Sequence, residues 1–347
     1  MNEETAPILT VDVEDWFHVC GHRAYSDPNT WAGRERRLHV GVERMLALLD
    51  GSGSVATFFI LGWIARQSPA LVKRIADAGH EIASHGDLHR RIFEMTLEEF
   101  RVDLRRSRDS LQEIAGKPVT SFRAPEWSMR SAKNPAFAVL VEEGFTRDSS
   151  LTTAPQVGDR SNPGGPAILE TASGPIMEVP PLMGTFFGFR AMWGGGVCAR
   201  LTRESRVVAA IDRAIANGIP PVLYAHPWEF DDAHPPMPGL SPVQRLVHFA
   251  GRRRTEGRWL RLLARHRCKP IASIRAEEGE ISAKGKTEEK KDLARDRVSR
   301  MADVKGPRPL CGARSARSLG ACLRTPPDPR VQSEAGLHPR PRISEKS

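Results

Sequence analysis

No stretch of this sequence approaches the roughly 18 consecutive apolar residues that a membrane-spanning helix needs. No transmembrane segment is therefore expected. Cysteine is scarce as well: Cys20, Cys198, Cys268, Cys311 and Cys322 are far apart, odd in number and never in CxxC spacing. That pattern excludes a disulfide framework and a thiolate zinc site, and reads as free thiols in a reducing compartment. The N-terminal run Met1-Asn2-Glu3-Glu4-Thr5-Ala6-Pro7 is acidic and leads straight into a strand, so the basic and apolar regions of a signal peptide are missing. A cytoplasmic location is the expectation.

A concentrated charge is also lacking over most of the chain. The net charge is +9, but the segment after Arg275 holds 16 Lys/Arg against 11 Asp/Glu and supplies +5 of it. A mild balance spread over a large body excludes nucleic acid as the expected partner, since such binding shows Lys/Arg gathered on one face. The run Gly251-Arg252-Arg253-Arg254 is a local exception and reads as a solvated loop.

What is present is the composition of a globular protein, 40% hydrophobic and 27% charged over 347 residues, a length that one β/α barrel can fill. Short apolar or β-branched runs alternate with helix-period segments, which is the pattern of parallel βαβ units. Strands are expected at 8–13, 55–61, 81–84, 119–122, 146–151, 176–179, 221–225 and 270–274. Between them, Val42, Met45, Leu46 and Leu49 recur at helical spacing, Pro69 opens a second helix, and Thr96-Leu97-Glu98-Glu99 is a capping box before a long amphipathic one. Asn134-Pro135 opens another, 207–216 and 259–264 are helical, and 152–174 is a Pro/Gly/Ser-rich surface excursion. About seven β/α repeats result, so the expected fold is a distorted (β/α)7-type parallel barrel over 1–275. Beyond Arg275 the apolar periodicity stops, and 276–347 is expected to be a disordered tail.

Active sites of parallel barrels sit where the strands end. Four such ends carry chemistry here. The first is Thr10-Val11-Asp12-Val13-Glu14-Asp15-Trp16, with three carboxylates in four residues; alone it reads as a solvated acidic turn. The third strand ends in Ser84-His85-Gly86-Asp87-Leu88-His89, whose two histidines can meet on one face of a helical turn and share a metal ion. His18 and His22 have the same spacing but lie in a turn-rich segment and read as surface residues. The remaining ends are Arg123-Ala124-Pro125-Glu126-Trp127 and Ala225-His226-Pro227-Trp228-Glu229. Each alone reads as structural; together they form the constellation of a metal hydrolase.

These motifs resemble the polysaccharide deacetylase family, also called NodB-type or carbohydrate esterase family four. Asp12 with Glu14 or Asp15, then His85 and His89, then Arg123 and Pro125, then His226 follow its order from about residue 8 to 274. The forms Val-Asp-Val-Glu-Asp-Trp, Arg-Ala-Pro-Glu-Trp-Ser and His-Pro-Trp-Glu are similar to the subgroup at exopolysaccharide and exosortase loci. The family has two adjacent aspartates, whereas Val13 follows Asp12 here. Strand alternation puts Asp12 and Glu14 on one side, which favours Glu14 as the ligand; alignment of Glu14-Asp15 with the usual pair would make Asp15 the ligand.

The resemblance implies a divalent ion, Zn²⁺ by preference, on His85, His89 and one of those carboxylates, and hydrolysis of N-acetyl groups on an N-acetylated polysaccharide. Asp12 would be the base, Arg123 its partner, and His226 the acid for the departing amine. The N–H after Pro125 would complete an oxyanion site; Glu126, Trp127 and Trp228 would line the substrate, with core packing the alternative for the indoles. Two rival readings are an allantoinase-like or cyclic-imide hydrolase of the same superfamily and a non-catalytic carbohydrate-binding barrel.

Overall fold

The structure, a computed structural model, describes residues 5–275 apart from 187. Its strands are β1 (Ile8–Val13), β2 (Thr57–Ile60), β3 (Glu81–Ser84), β4 (Ser121–Phe122), β5 (Arg147–Asp148), β6 (Ala167–Thr171), β7 (Gly174–Glu178), β8 (Met183–Phe186), β9 (Phe189–Met192) and β10 (Val222–Ala225). The helices are α1 (Arg23–Ser26), α2 (Leu38–Ser52), α3 (Gly62–Gln67), α4 (Pro69–Asp77), α5 (Leu97–Ala115), α6 (Ala136–Glu142), α7 (Gly196–Leu201), α8 (Glu204–Ala216), α9 (Pro242–Phe249) and α10 (Thr255–Arg265).

One curled sheet has the order β10-β1-β2-β3-β4-β5-β7-β6. Every neighbouring pair is parallel except β6 with β7, so the sheet contains the seven parallel strands that the repeat pattern implied. After β7 the backbone crosses to the free edge of β10, where Leu182 N–H donates to the Val222 carbonyl at 2.9 Å and Tyr224 N–H to the Gly194 carbonyl at 2.9 Å. Only glycine fits that approach: a Cβ on Gly195 would lie 1.9 Å from the Tyr224 carbonyl oxygen.

Strand alternation sorts the core. On β1, Leu9, Val11 and Val13 join the large cluster under the helices, while Ile8 belongs to an inner cluster with Phe59, Val179 and Val222. Thr10 and Asp12 share that inner side and meet Arg123 there. A third cluster, Trp16, Phe17, Tyr25, Trp31, Met237 and Leu240, packs the long segment after β1. Helix α2 approaches the segment after β10 so closely that a Cβ on Gly41 would lie 1.9 Å from the Pro227 carbonyl oxygen.

Two expectations need correction. No strand forms at 270–274: Pro270 has no N–H for a ladder, the N–H groups of Ile271 and Ala272 go to the side chains of Thr57 and Glu81, and the chain turns as a short 3-10 helix, Ile271–Ser273. The excursion at 152–174 contains β6, which pairs with β7 as a hairpin. The β8–β9 hairpin and α9 were not foreseen. The tail at 276–347 lies outside the described residues. Among the described residues no helix is long and apolar enough to cross a membrane, and Cys20, Cys198 and Cys268 are free.

Candidate metal centre and active site

The end of β1 delivers Asp12 and then Glu14 to the same side, as alternation requires. Both histidines of the third strand end converge on Glu14: His85 Nε2 lies 3.1 Å and His89 Nε2 2.9 Å from the same Oε1. The three ligand atoms lie within 4.8 Å of one another, all on buried residues that could hold a metal ion.

The histidines do not meet on a helical turn. Residues 85–89 form an irregular loop in which Gly86 (φ 77°) and His89 (φ 52°) take the left-handed region, a strained choice for histidine. Asp103 on α5 holds the loop by accepting the Asp87 N–H at 2.7 Å and the Leu88 N–H at 3.4 Å. Asp87 in turn pairs with Arg66 at 2.6 Å. The outer ring nitrogens are fixed too, His85 Nδ1 donating to the Arg123 carbonyl at 2.8 Å and His89 Nδ1 lying 3.3 Å from Cys20 Sγ. Such outer contacts orient imidazole ligands.

Charge marks the same place. Burial alone would raise Glu14, but the His89 charge and the two imidazole contacts hold it well below the usual carboxylate range. Burial would lower His89, yet Cys20 and Glu14 together keep it well above the usual imidazole value. The cluster therefore stabilises a positive charge between its donors, and two imidazole nitrogens with a carboxylate oxygen is a donor set that suits a divalent cation.

Beside it, Arg123 donates to Asp12 Oδ1 and to Thr10 Oγ1, each at 2.8 Å, and its other nitrogens donate to the carbonyl and hydroxyl of Ser149. Its guanidinium lies 4.4 Å from the Phe59 ring centroid. The other oxygen, Asp12 Oδ2, faces His226 Nε2 at 3.8 Å. Behind that ring, Glu229 Oε1 lies 3.5 Å from His226 Nδ1, an ion-pair contact, and 3.4 Å from Arg200 Nε. Burial opposes charging His226, but Glu229, Glu14 and Asp12 outweigh it and raise the ring to about 9. Sequence reasoning gave Glu229 no role, although its i+3 spacing on a turn was visible; Arg200, 26 residues upstream of His226, gave no signal.

Asp15 is not part of the cluster. Its Oδ1 accepts the Trp16 N–H at 2.9 Å and its Oδ2 the N–H groups of Arg37 and Leu38 at 3.0 and 3.2 Å, so it anchors the start of α2. Burial raises it to about 6. His18 is likewise not a surface residue: it is buried at 3% exposure, with Nδ1 accepting the Asp15 N–H and the ring edge-on to Trp31 at 4.4 Å. Burial and the His89 charge hold it well below the usual imidazole value. His22 lies apart, its Nε2 3.0 Å from the Gly239 carbonyl oxygen.

After Arg123, Pro125–Trp127 is a 3-10 turn in which Glu126 and Trp127 take φ of 52° and 51°. Glu126 is exposed and pairs with Arg91 at 2.8 Å. Trp127 is buried edge-on to Tyr224, with ring centroids 4.8 Å apart. Trp228 stacks on His226 at 5.1 Å and on His248 at 4.2 Å.

A family model for polysaccharide deacetylases matches residues 37–138, and one for a domain of unknown function, DUF3473, matches 149–276. A peptidoglycan deacetylase of Helicobacter pylori is 32% identical over 112 residues, 32% of this chain and 37% of that protein. A peptidoglycan-N-acetylglucosamine deacetylase of Bacillus cereus is 36% identical over 70 residues, 20% of this chain and 26% of that protein. The aligned part thus spans little more than a third of these relatives' length. A crystal structure of a candidate polysaccharide deacetylase from Mycobacterium smegmatis, 20% identical, superposes with a TM-score of 0.51 over 90% of this chain and 96% of that one, a likeness of fold. His85, His89 and Arg123 lie inside the span matched by the polysaccharide deacetylase model, so that part of the chain is similar to this family at the residues that form the site.

Proposed function

We propose that this protein is a metal-dependent hydrolase that removes N-acetyl groups from an N-acetylated polysaccharide. The observation that carries the reading is the convergence of His85 and His89 on Glu14 beside an Asp12–Arg123 pair and a raised His226. Glu14, His85 and His89 would hold the ion, with Zn²⁺ the first candidate for two imidazoles and a carboxylate. When bound, such an ion acidifies water and polarises an amide carbonyl.

The remaining steps belong to side chains. Arg123 occupies Asp12 Oδ1 and leaves Oδ2 to take a proton from the attacking water. His226, charged through the neutral range, gives its proton to the departing amine nitrogen, while Glu229 keeps that charge favourable. The N–H of Glu126, in the turn after Pro125, would serve the oxyanion. The relatives named as acting on peptidoglycan, and the occurrence of DUF3473 in exopolysaccharide-locus deacetylases, support a polymeric substrate.

Acetate release from a panel of N-acetylated glycans, after chelation and after adding back Zn²⁺, tests this. Release that needs the metal is expected; hydrolysis of allantoin or cyclic imides with none from glycans would overturn the substrate class, and release indifferent to chelation would overturn the metal.

A further inference from the structure

Helix α9 is turned inside out. It starts from a capping box between Ser241 and Gln244 with Pro242 at its first position, so its start is well specified. An eight-residue helix on a globular surface normally points its apolar stripe at the core. Here Val243, Leu246 and Val247, spaced i, i+3, i+4 on one face, are 69%, 57% and 45% exposed, and the buried residue is His248, stacked on Trp228. Single exposed aliphatics are ordinary, whereas three together on one short helix mark a contact surface.

The charge around this face indicates what covers it. From Ala233 to Thr255 the sequence holds four arginines and no Asp or Glu. Arg245, Arg253 and Arg254 are exposed and have no carboxylate partner among the described residues, whereas Arg37, Arg66, Arg91, Arg101 and Arg261 each pair with one. Aliphatic side chains that can enter a headgroup boundary, flanked by unpaired guanidinium groups that can meet phosphates, suit an interfacial helix.

We propose that α9 and the arginines that follow it dock this protein on an anionic phospholipid surface. The surface lies close to the candidate active site, because His248 on its underside stacks on Trp228 and Trp228 on His226. The proposal does not depend on the hydrolase reading.

Co-sedimentation of the full chain with phosphatidylcholine vesicles, with and without phosphatidylglycerol, tests it. Binding is expected only with the anionic lipid and should weaken as salt is added. Each arginine near such a surface contributes about fivefold to partition, so Arg253→Glu with Arg254→Glu should lower partition at least about tenfold. Val243→Glu with Leu246→Glu should do the same, and both pairs should keep the wild-type circular dichroism and Tm because these side chains are exposed. Three results would overturn the proposal: no binding to anionic vesicles, binding that neither pair of substitutions reduces, or sedimentation equilibrium showing a dimer that Val243→Glu with Leu246→Glu dissociates.

Discussion

Two buried histidine pairs lie in this fold in opposite electrostatic surroundings. His85 and His89 aim Nε2 at one oxygen of Glu14. His234 and His248 aim Nε2 at each other across 3.2 Å, with His234 Nδ1 donating to the Pro235 carbonyl at 2.8 Å. Burial first, then Arg252 and the facing ring, push His248 down to about 2; burial and Arg252 push His234 to about 4. The second pair is therefore neutral, whereas His89 of the first is held charged by Glu14 and Cys20. Two close imidazoles do not make a cation site; the carboxylate between them does.

The comparison is broken most completely by deleting a ring of the first pair. His85→Ala or His89→Ala should abolish metal binding and hydrolysis while leaving the fold intact, and His248→Ala should keep full metal content. Elemental analysis of the three purified variants checks this; full occupancy in either of the first two would remove the metal assignment.

His226 touches neither pair and should separate acid catalysis from metal binding. His226→Ala should lower kcat by about 10²–10⁴ with metal content unchanged. A ring raised to about 9 is protonated below that value, so wild-type activity should fall as pH rises through about 9 and the variant should lack that limb. Metal loss in the variant would make His226 a ligand.

Outer contacts distinguish the pairs more gently. Cys20→Ala should weaken metal affinity about 10–100-fold, the usual range for a partner of a ligating histidine, and Cys20→Ser, which restores a donor and acceptor, should recover most of it. Calorimetric titration with Zn²⁺ reads both; equal affinity in all three proteins would confine Cys20 to packing.

The neutral pair should show itself in stability instead of in metal binding. His248 has a folded-state pKa below its unfolded value, so its contribution to stability is present above about 6.5 and is lost as pH falls below that. Removing one such proton-linked group should make His248→Gln less acid-sensitive by about 2 kcal/mol between pH 6.5 and 5. Urea unfolding at the two pH values measures the slope, and an unchanged slope would show that the ring is not held neutral.

Much of this site could be read in the sequence because strand alternation is a strict geometric rule. A period of two placed Asp12 and Glu14 on one side, and strand ends gathered His85, Arg123 and His226. What could not be read depends on partners that arrive from elsewhere. Asp15 stayed open as the alternative ligand until the start of α2, 22 residues on, took its Oδ2 while the Trp16 N–H took its Oδ1. His18 looked exposed because nothing in its turn-rich neighbourhood announces Trp31 and Trp63 folding over it. The loop at 85–89 looked helical because i, i+4 spacing does not reveal that Asp103 pulls two N–H groups out of any helix.

Gly41 makes the acid's position depend on an atom that is not there. It sits within α2, where alanine would favour the helix by roughly 1 kcal/mol, so routine stabilisation by Gly→Ala would select it. The added methyl would run into the Pro227 carbonyl, next to His226 in the chain. A substitution that touches no ionisable group could then shift the proton donor and leave the metal cluster intact. Tolerance to mutation in this protein is therefore not set by distance from the chemistry along the chain, since position 41 is far from His226 in sequence and adjoins its loop in space.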